Sequence, residues 1–214
     1  MVIQTLGEYK ELHEAIYNCR LCIEAGYAVS RVQPEWDALQ VRSVSIRRWA
    51  MLIGQSPGRV EQQAHKAMQG KAGRGWRKWL SDAGFSEDQI SSQFYKTVIT
   101  KCYLGTRKGR DRKPTNREIE LCSPFLVTQI QLVDPVVIVP MGKVAVNWFF
   151  PEVQRLEEVV GKKFPWNLES SEYLVICLPH ASPASAWWKS EANRILLMDA
   201  LRLLSEQREQ TIAD

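Results

Sequence analysis

The pattern of apolar and polar positions predicts short buried strands that alternate with amphipathic helices. Continuous apolar runs bounded by turn residues are typical of strands covered on both faces, and β-branched residues favour one more strand. These strands are predicted at residues 49–53, 95–101, 136–139 and 174–178. Apolar residues at helical spacing predict helices at residues 5–18, around 76–83, 115–133, around 145–149 and 186–206.

This order of elements predicts one α/β domain spanning residues 1–214. Strands that alternate with helices favour a three-layer αβα architecture with a mostly parallel central sheet of about four strands. The segment 23–45 shows no clear period and is expected to be irregular, and residues 151–172 are expected to form a longer connection. Ligands of such sheets bind in loops at the carboxyl ends of the strands. The loops at Gly54, after Lys101 and at His180 are therefore the candidate site.

Length and composition are those of an ordinary soluble domain. The chain has 214 residues, of which 45% are hydrophobic and 24% charged. Its apolar runs are shorter than the ~18 residues that a membrane span needs, and its first ten residues do not resemble a secretion signal. We therefore expect a cytoplasmic protein without membrane contact, and a monomer by default.

Positive charge is concentrated in one segment. Residues 101–117 carry seven Lys or Arg side chains against one acid, Asp111, an excess larger than the whole-chain net charge of +4. Such a block indicates a polyanionic partner, although a solvated loop would look the same.

Four of the five cysteines form a pattern that indicates a metal centre. Cys19 and Cys22 are a C-x2-C pair, Cys102 follows a predicted strand, and Cys122 lies in a predicted helix. Four thiolates suit tetrahedral zinc or an iron–sulfur cluster, and the spacing alone does not choose between them. A buried packing role for Cys122 also stays open. Cys177 lies within a predicted core strand and is interpreted as a packing residue.

Several short motifs occur in an order that resembles one known family. The cysteine pair is followed by Gly-Gln-Ser-Pro-Gly after a strand, Lys-Cys at a strand end, Glu-Ile-x-x-Cys in a helix, a Pro-led strand ending in Met-Gly, and His-Ala-Ser-Pro. This order is similar to that of the iron–sulfur uracil-DNA glycosylases, families 4 and 5 of their superfamily. The resemblance covers about residues 10–205.

The resemblance implies a cofactor and a reaction. It implies a structural [4Fe–4S] cluster rather than zinc, with Cys19, Cys22, Cys102 and Cys122 as ligands. It also implies a monofunctional DNA glycosylase that hydrolyses the N-glycosidic bond of a flipped-out base, with DNA as partner and no nucleotide cofactor. The alternative is a DNA-binding or sensing module that has kept the fold and lost catalysis.

The resemblance also implies which residues act. His180 matches the family histidine that contacts the departing base, and a structural histidine in a turn is the alternative. The segment that matches the first motif forms the base pocket; it consists of Gly54, Gln55, Ser56, Pro57 and Gly58. Gln55 stands where an acid is usual, and a neutral side chain is no strong general base. Glu61, which could also be an ordinary exposed acid, is the candidate for positioning water.

Three pocket positions depart from the family pattern. Val98 falls where family 4 has the uracil-reading Asn, Met68 falls where it has a stacking Phe, and residues 103–105 replace Arg-Pro-Pro. We expect relaxed base specificity that admits hypoxanthine, xanthine or a modified phage cytosine, the last of which would imply a role in phage defence.

Contacts to DNA are expected on two segments. Ser182, Pro183 and Ser185 are candidates near the site, and Lys108, Arg110 and Arg112 are candidates in the basic segment. Either Trp187 or Trp188 could wedge into the base stack, and helix packing is the favoured alternative. One subgroup of the superfamily carries a histidine in a basic insert at this point and becomes covalently bound to DNA. The basic insert of this chain, residues 105–113, contains no histidine, so the resemblance implies no covalent protein–DNA adduct.

Overall fold

A five-stranded sheet forms the centre of the protein. The computed structural model describes residues 6–31 and 48–213. The strand order is β3-β2-β7-β9-β8, and all neighbours are parallel except β8 and β9. The strands are β2 (Ala50–Gly54), β3 (Phe94–Val98), β7 (Val137–Pro140), β8 (Lys163–Leu168) and β9 (Ser171–Ile176). The expected α/β fold with a mostly parallel sheet is thus confirmed.

The edge strand β8 corrects the sequence analysis, which took residues 151–172 as a connection and predicted no strand there. Its side chains alternate between exposed and half-buried positions, with Phe164, Trp166 and Leu168 packed against the core. This alternation is the signature of a strand with one solvated face. The search for continuous apolar runs missed it, because continuous runs mark only strands that are covered on both faces.

Helices cover both faces of the sheet. They are α1 (Leu6–Asn18), α2 (Leu21–Glu24), α3 (Arg59–Ala64), α4 (Lys71–Asp82), α5 (Glu87–Gln93), α6 (Asn116–Val133), α7 (Lys143–Phe149) and α8 (Glu191–Ala213). The expected capping box that opens α6 is present, with Thr115 and Glu118 each accepting from the other's backbone N–H. The last helix starts five residues later than expected, after a 3₁₀ turn at Trp187–Lys189.

Two small antiparallel pairs lie beside the main sheet. Strand β1 (Ser30–Arg31) pairs with β4 (Cys102–Tyr103), while β5 (Thr106–Arg107) and β6 (Arg110–Asp111) form a hairpin. Within the segment 23–45 that was expected to be irregular, residues 23–31 include the end of α2 and β1, and residues 32–45 lie outside the described ranges. In the hairpin turn, Lys108 and Gly109 have φ of 52° and 73°, as a type I′ turn requires.

The hairpin is fixed to α6 by an ion pair. Arg112 follows β6, and its guanidinium donates to both carboxylate oxygens of Glu118, at 2.8 and 2.6 Å. Glu118 is fully buried, and Arg112 also donates to the carbonyl of Leu104 at 2.6 Å. The hairpin therefore has a defined position relative to the sheet. No helix in the described ranges has the length and apolar character that crossing a lipid bilayer requires.

Candidate active site

A cavity lies at the carboxyl ends of the parallel strands, where ligands of open α/β sheets bind. Its volume is about 770 Å³. Gly54 and Val98, at the ends of β2 and β3, and Gly142 and His180, in the loops after β7 and β9, contribute to its wall. The hairpin β5–β6 forms another part of the wall, so one face of the cavity comes from an element outside the main sheet.

The imidazole of His180 has a defined tautomer. The backbone N–H of Ser182 lies 3.3 Å from Nδ1 of His180 and can only donate, so Nδ1 is the acceptor. The proton of the neutral ring is therefore on Nε2, which is left as a donor. The surrounding walls lower the pKa of His180 because they desolvate the charged form. The side chain is nonetheless exposed to the cavity and accessible to a ligand.

Two glycines allow the His180 loop to take its position. Gly142 has φ of 86°, and a Cβ there would stand 3.2 Å from Cβ of His180. The approach is closer at Gly75, within α4, where a Cβ would stand 2.3 Å from the carbonyl oxygen of Ala181. Helix α4 approaches the loop this closely because residue 75 has no side chain.

The side chain of Glu61, from α3, reaches the start of α4. Its Oε1 accepts a 2.7 Å hydrogen bond from the backbone N–H of Gly70, the residue that caps this helix. The positive end of a helix dipole favours a negative charge at this point. Glu61 is half-buried and lines the same cavity as His180. The sequence analysis placed it near the site, and the geometry adds the hydrogen bond that fixes its orientation.

The floor of the cavity is apolar. A Cβ on Gly54 would stand 3.4 Å from Cγ1 of Val98 and 3.6 Å from Cε of Met68. The two residues that depart from the family pattern therefore meet at one point. Met68 has φ of 56°, and its carbonyl oxygen would stand 2.0 Å from a Cβ on Gly73. Gly73 is thus required for the conformation of the Met68 loop.

The rest of the first motif also lines the cavity. Gln55, Ser56, Pro57 and Gly58 are all part of its wall. The amide of Gln55 donates to the backbone carbonyl of Arg112 at 3.5 Å, so this side chain contacts the base of the hairpin.

The candidate DNA contacts separate into three groups. Lys108 and Arg110 are exposed on the hairpin, and Arg110 lines the cavity. Ser182 and Ser185 line the cavity, and Pro183 is exposed beside them. Arg112 differs from these residues, because its guanidinium donates hydrogen bonds to the carboxylate of Glu118 and to the carbonyl of Leu104. We therefore leave Arg112 out of the candidate DNA contacts.

The two tryptophans after the His180 loop are both half-buried. Trp188 donates from its indole nitrogen to the carbonyl of Ser182 at 3.3 Å, and Trp187 packs against the core. Both contacts agree with the packing alternative for these side chains.

The four cysteines surround a second, small cavity. Cys19, Cys22, Cys102 and Cys122 all line it, although within the described ranges no three His, Cys, Asp or Glu side chains form a group that could hold one metal ion. Burial and the neighbouring thiols raise the pKa of Cys22 to about 11 and that of Cys102 to about 12. Four thiols that line one cavity are a donor set suited to a metal centre, which binds them as thiolates.

Lys101 connects the cysteine site to the wall of the larger cavity. Its backbone N–H donates to Sγ of Cys122 at 3.3 Å, and its buried ammonium donates to Thr97 and to the carbonyl of Val98. Burial lowers the pKa of Lys101 to about 7. Cys177 does not line the small cavity, and its side chain is fully buried near the end of β9.

Sequence reasoning missed several residues of this site. Asp111 was counted as a lone acid in a basic segment, yet it lines the cavity. Gly70 and Gly75 gave no signal, because a close approach between distant segments is invisible in a single chain. Lys96, which is buried at the cavity wall, was hidden within a strand pattern.

The fold and the site define an α/β protein in which an oriented imidazole and an oriented carboxylate share one cavity at the sheet edge. The family model described as the uracil DNA glycosylase superfamily matches residues 45–202. The chain belongs to this superfamily.

Several relatives are named type-4 uracil-DNA glycosylase. The protein from Sulfurisphaera tokodaii is 28% identical over 154 residues, which are 70% of this chain and 66% of that protein. Those from Saccharolobus solfataricus and Pyrobaculum aerophilum are each 27% identical, over 70% and 72% of this chain and 67% and 70% of their own lengths. The chain thus matches about two thirds of the length of these relatives.

Proposed function

We propose that the protein is a monofunctional DNA glycosylase that hydrolyses the N-glycosidic bond of a flipped-out base. The observation that carries the proposal is the hydrogen bond from Ser182 to Nδ1 of His180, which leaves an Nε2–H donor at a cavity on the sheet edge. A donor fixed before the reaction stabilises the negative charge that grows on a departing base. A neutral imidazole also avoids the cost of desolvating a cation.

The two oriented side chains have complementary roles in this reaction. The glycosidic bond breaks with its electron pair moving to the base, whose anion accepts a hydrogen bond from Nε2 of His180. The oxygen of a water molecule bonds to C1′ of the sugar, and its proton passes to the carboxylate of Glu61. Solvent later protonates the released base. The hydrogen bond from Gly70 to Glu61 supports this role, since it holds the carboxylate in one orientation.

The relatives' name makes uracil the first candidate substrate, and the pocket floor argues for a wider range. Val98 and Met68 offer no hydrogen bonds at the point where they meet Gly54. A hydrogen-bonding floor rejects the wrong base because the floor's own polar groups are then left unpaired, and an apolar floor has no such groups. We therefore propose that the pocket also accepts deaminated purines or a modified cytosine such as those in phage DNA.

DNA is the proposed partner, and charge at the cavity supports this. The wall and rim carry Arg59, Lys66, Lys71, Arg110 and Lys113. A concave surface with this charge attracts the phosphate backbone, and binding by such contacts weakens as salt increases.

A [4Fe–4S] cluster is the proposed cofactor. Cys19, Cys22, Cys102 and Cys122 would hold it, and their common cavity and thiolate chemistry support the assignment. When bound, the cluster would join α2, β4 and α6 and would have a structural role. The catalytic side chains line the other, larger cavity.

The second candidate function is a DNA-binding or sensing module without catalysis. The neutral side chain of Gln55 at the cavity wall favours it, and the oriented His180 and Glu61 favour the enzyme.

Base release from a panel of DNA substrates tests the proposal. The panel contains uracil, hypoxanthine, xanthine, hydroxymethylated cytosine and glucosylated cytosine, and alkali cleavage reveals abasic sites. We expect release of at least one base, and a loss of roughly 10²–10³-fold in single-turnover rate for His180→Ala. DNA binding without release from any substrate would establish the sensing module instead. Denaturing gels of the same reactions should show no covalent adduct.

A further inference from the structure

Asp111, at the end of the hairpin β5–β6, lies beside the catalytic carboxylate. Its Oδ2 stands 2.9 Å from the position that a Cβ on Gly58 would take, and Oε2 of Glu61 stands 2.7 Å from the same position. The two carboxylates therefore converge on one face of Gly58. Oδ2 of Asp111 also accepts from the backbone N–H of Arg59 at 3.4 Å.

The position of Asp111 is fixed from several sides. The pairing of Thr106 with Asp111 closes the hairpin, and the ion pair of Arg112 with Glu118 begins at the next residue. A carboxylate held in this way is oriented before any substrate binds, although its side chain is exposed.

The charge around the cavity makes this carboxylate unusual. Among the described residues that line the cavity, Glu61 and Asp111 are the two acids, and the remaining charged side chains are those of Lys and Arg. An acid in a surface that binds phosphate costs affinity, because it repels the DNA backbone. Its presence there indicates a role in the reaction rather than in binding.

We propose that Asp111 acts with Glu61 as a second catalytic carboxylate, which stabilises the positively charged sugar and helps to orient the attacking water. This inference rests on the glycosylase function proposed above. In this site Gln55 is neutral and donates to the base of the hairpin, so the second negative charge comes from the hairpin itself. The hairpin is then both a DNA-contacting element and a contributor to the active site.

The test compares Asp111→Asn with the wild-type protein. Asparagine keeps the shape of the side chain and an oxygen that can accept from Arg59, and it removes the charge. Asp111→Glu restores the charge at a slightly different position. Asp88→Asn is the matched control, because Asp88 is exposed on α5 and does not line the cavity. Single-turnover rates and DNA dissociation constants are measured for all four proteins on the base that the wild type releases.

We expect Asp111→Asn to slow the chemical step by about 10- to 100-fold. We expect it to bind DNA as tightly as the wild type or more tightly, since one repulsive charge is gone. Asp111→Glu should recover part of the rate, and Asp88→Asn should match the wild type. A slower chemical step together with DNA binding that is not weakened would distinguish a catalytic role of Asp111 from a structural one.

Three results would overturn the inference. One is an Asp111→Asn rate equal to that of the Asp88→Asn control. Another is a rate loss that disappears at saturating protein, which would mean that Asp111 supports only binding or hairpin structure. A wild-type protein that releases no base from any substrate refutes the proposed function and this inference together, whereas the first two results leave the glycosylase function intact.

Discussion

The backbone N–H of Ser182 donates to Nδ1 of His180 across a single intervening residue, at 3.3 Å. This local contact determines which ring nitrogen carries the proton, and therefore what the histidine can do in the cavity. It depends on the loop after β9, which is in turn held by the close approach of α4.

The first prediction concerns the protonation of His180. The pKa of its imidazole lies below the ordinary 6.5, because the cavity walls desolvate the charged form. A proton taken up at Nδ1 breaks the hydrogen bond from Ser182. NMR titration of the imidazole should therefore show Nδ1 unprotonated at neutral pH and a midpoint below 6.5. A midpoint at or above that value would contradict the desolvated environment.

The same shift has a consequence for stability. Between the lowered pKa of the folded protein and the ordinary pKa of the unfolded chain, the unfolded chain binds more protons. The free energy of unfolding should therefore decrease as the pH falls through this window. His180→Gln should remove this part of the pH dependence, as measured by urea denaturation at several pH values.

The second prediction concerns Gly75. Alanine normally stabilises a helix by about 1 kcal/mol relative to glycine, yet here its Cβ would collide with the carbonyl of Ala181. Gly75→Ala should displace the His180 loop, and a displacement of about 1 Å can cost roughly 100-fold in rate. Single-turnover kinetics and thermal melts measure the two effects. Lys78→Ala, exposed on the same helix, is the control and should keep its activity.

The third prediction concerns the cysteine site. Cys122→Ser should lose iron and the brown colour of a cluster, because a ligand is removed. Cys177→Ala should keep both, since this buried cysteine lies outside the small cavity. Iron, sulfide and zinc analysis of the purified proteins makes the comparison. A colourless wild-type protein with one zinc per chain would mean that the four cysteines bind zinc and not an iron–sulfur cluster.

The fourth prediction concerns the anchor of the hairpin. Glu118 is fully buried against Arg112, so Glu118→Gln leaves a cation with a weakened partner and should cost about 3 kcal/mol in the free energy of unfolding. Glu120→Gln removes an exposed pair with Arg117 on the same helix and should cost less than about 1 kcal/mol. Chemical denaturation measures both. Equal costs for the two variants would mean that burial does not strengthen the Arg112 pair.

The fifth prediction concerns the tip of the hairpin. Lys108→Gln and Arg110→Gln should each reduce the slope of log affinity against log salt by roughly 1, since each removes one phosphate contact. Lys163→Gln, on the distant edge strand β8, should leave the slope unchanged. Fluorescence anisotropy with labelled duplex DNA at several salt concentrations measures these slopes. An unchanged slope for both hairpin variants would mean that neither side chain contacts a DNA phosphate.

Much of the fold could be predicted from the chain because its strongest signals are local. The buried runs at residues 50–54 and 137–140 and the capping box of α6 are complete within a few residues. Strand β8 was missed, since its alternating pattern is weaker than a continuous apolar run. The order of motifs likewise indicated the family before any geometry was known.

The sequence by itself determined the chemistry available: a histidine after a strand, an acid after the first motif, four cysteines, and a basic segment. The tertiary structure decided which of these groups meet. It brought Asp111 to Glu61 through a hairpin, turned Arg112 inward to Glu118, and joined Val98 to Met68 on Gly54. These contacts join residues that are 6 to 50 positions apart, or depend on glycines that let two backbones approach, and no local pattern encodes such distances.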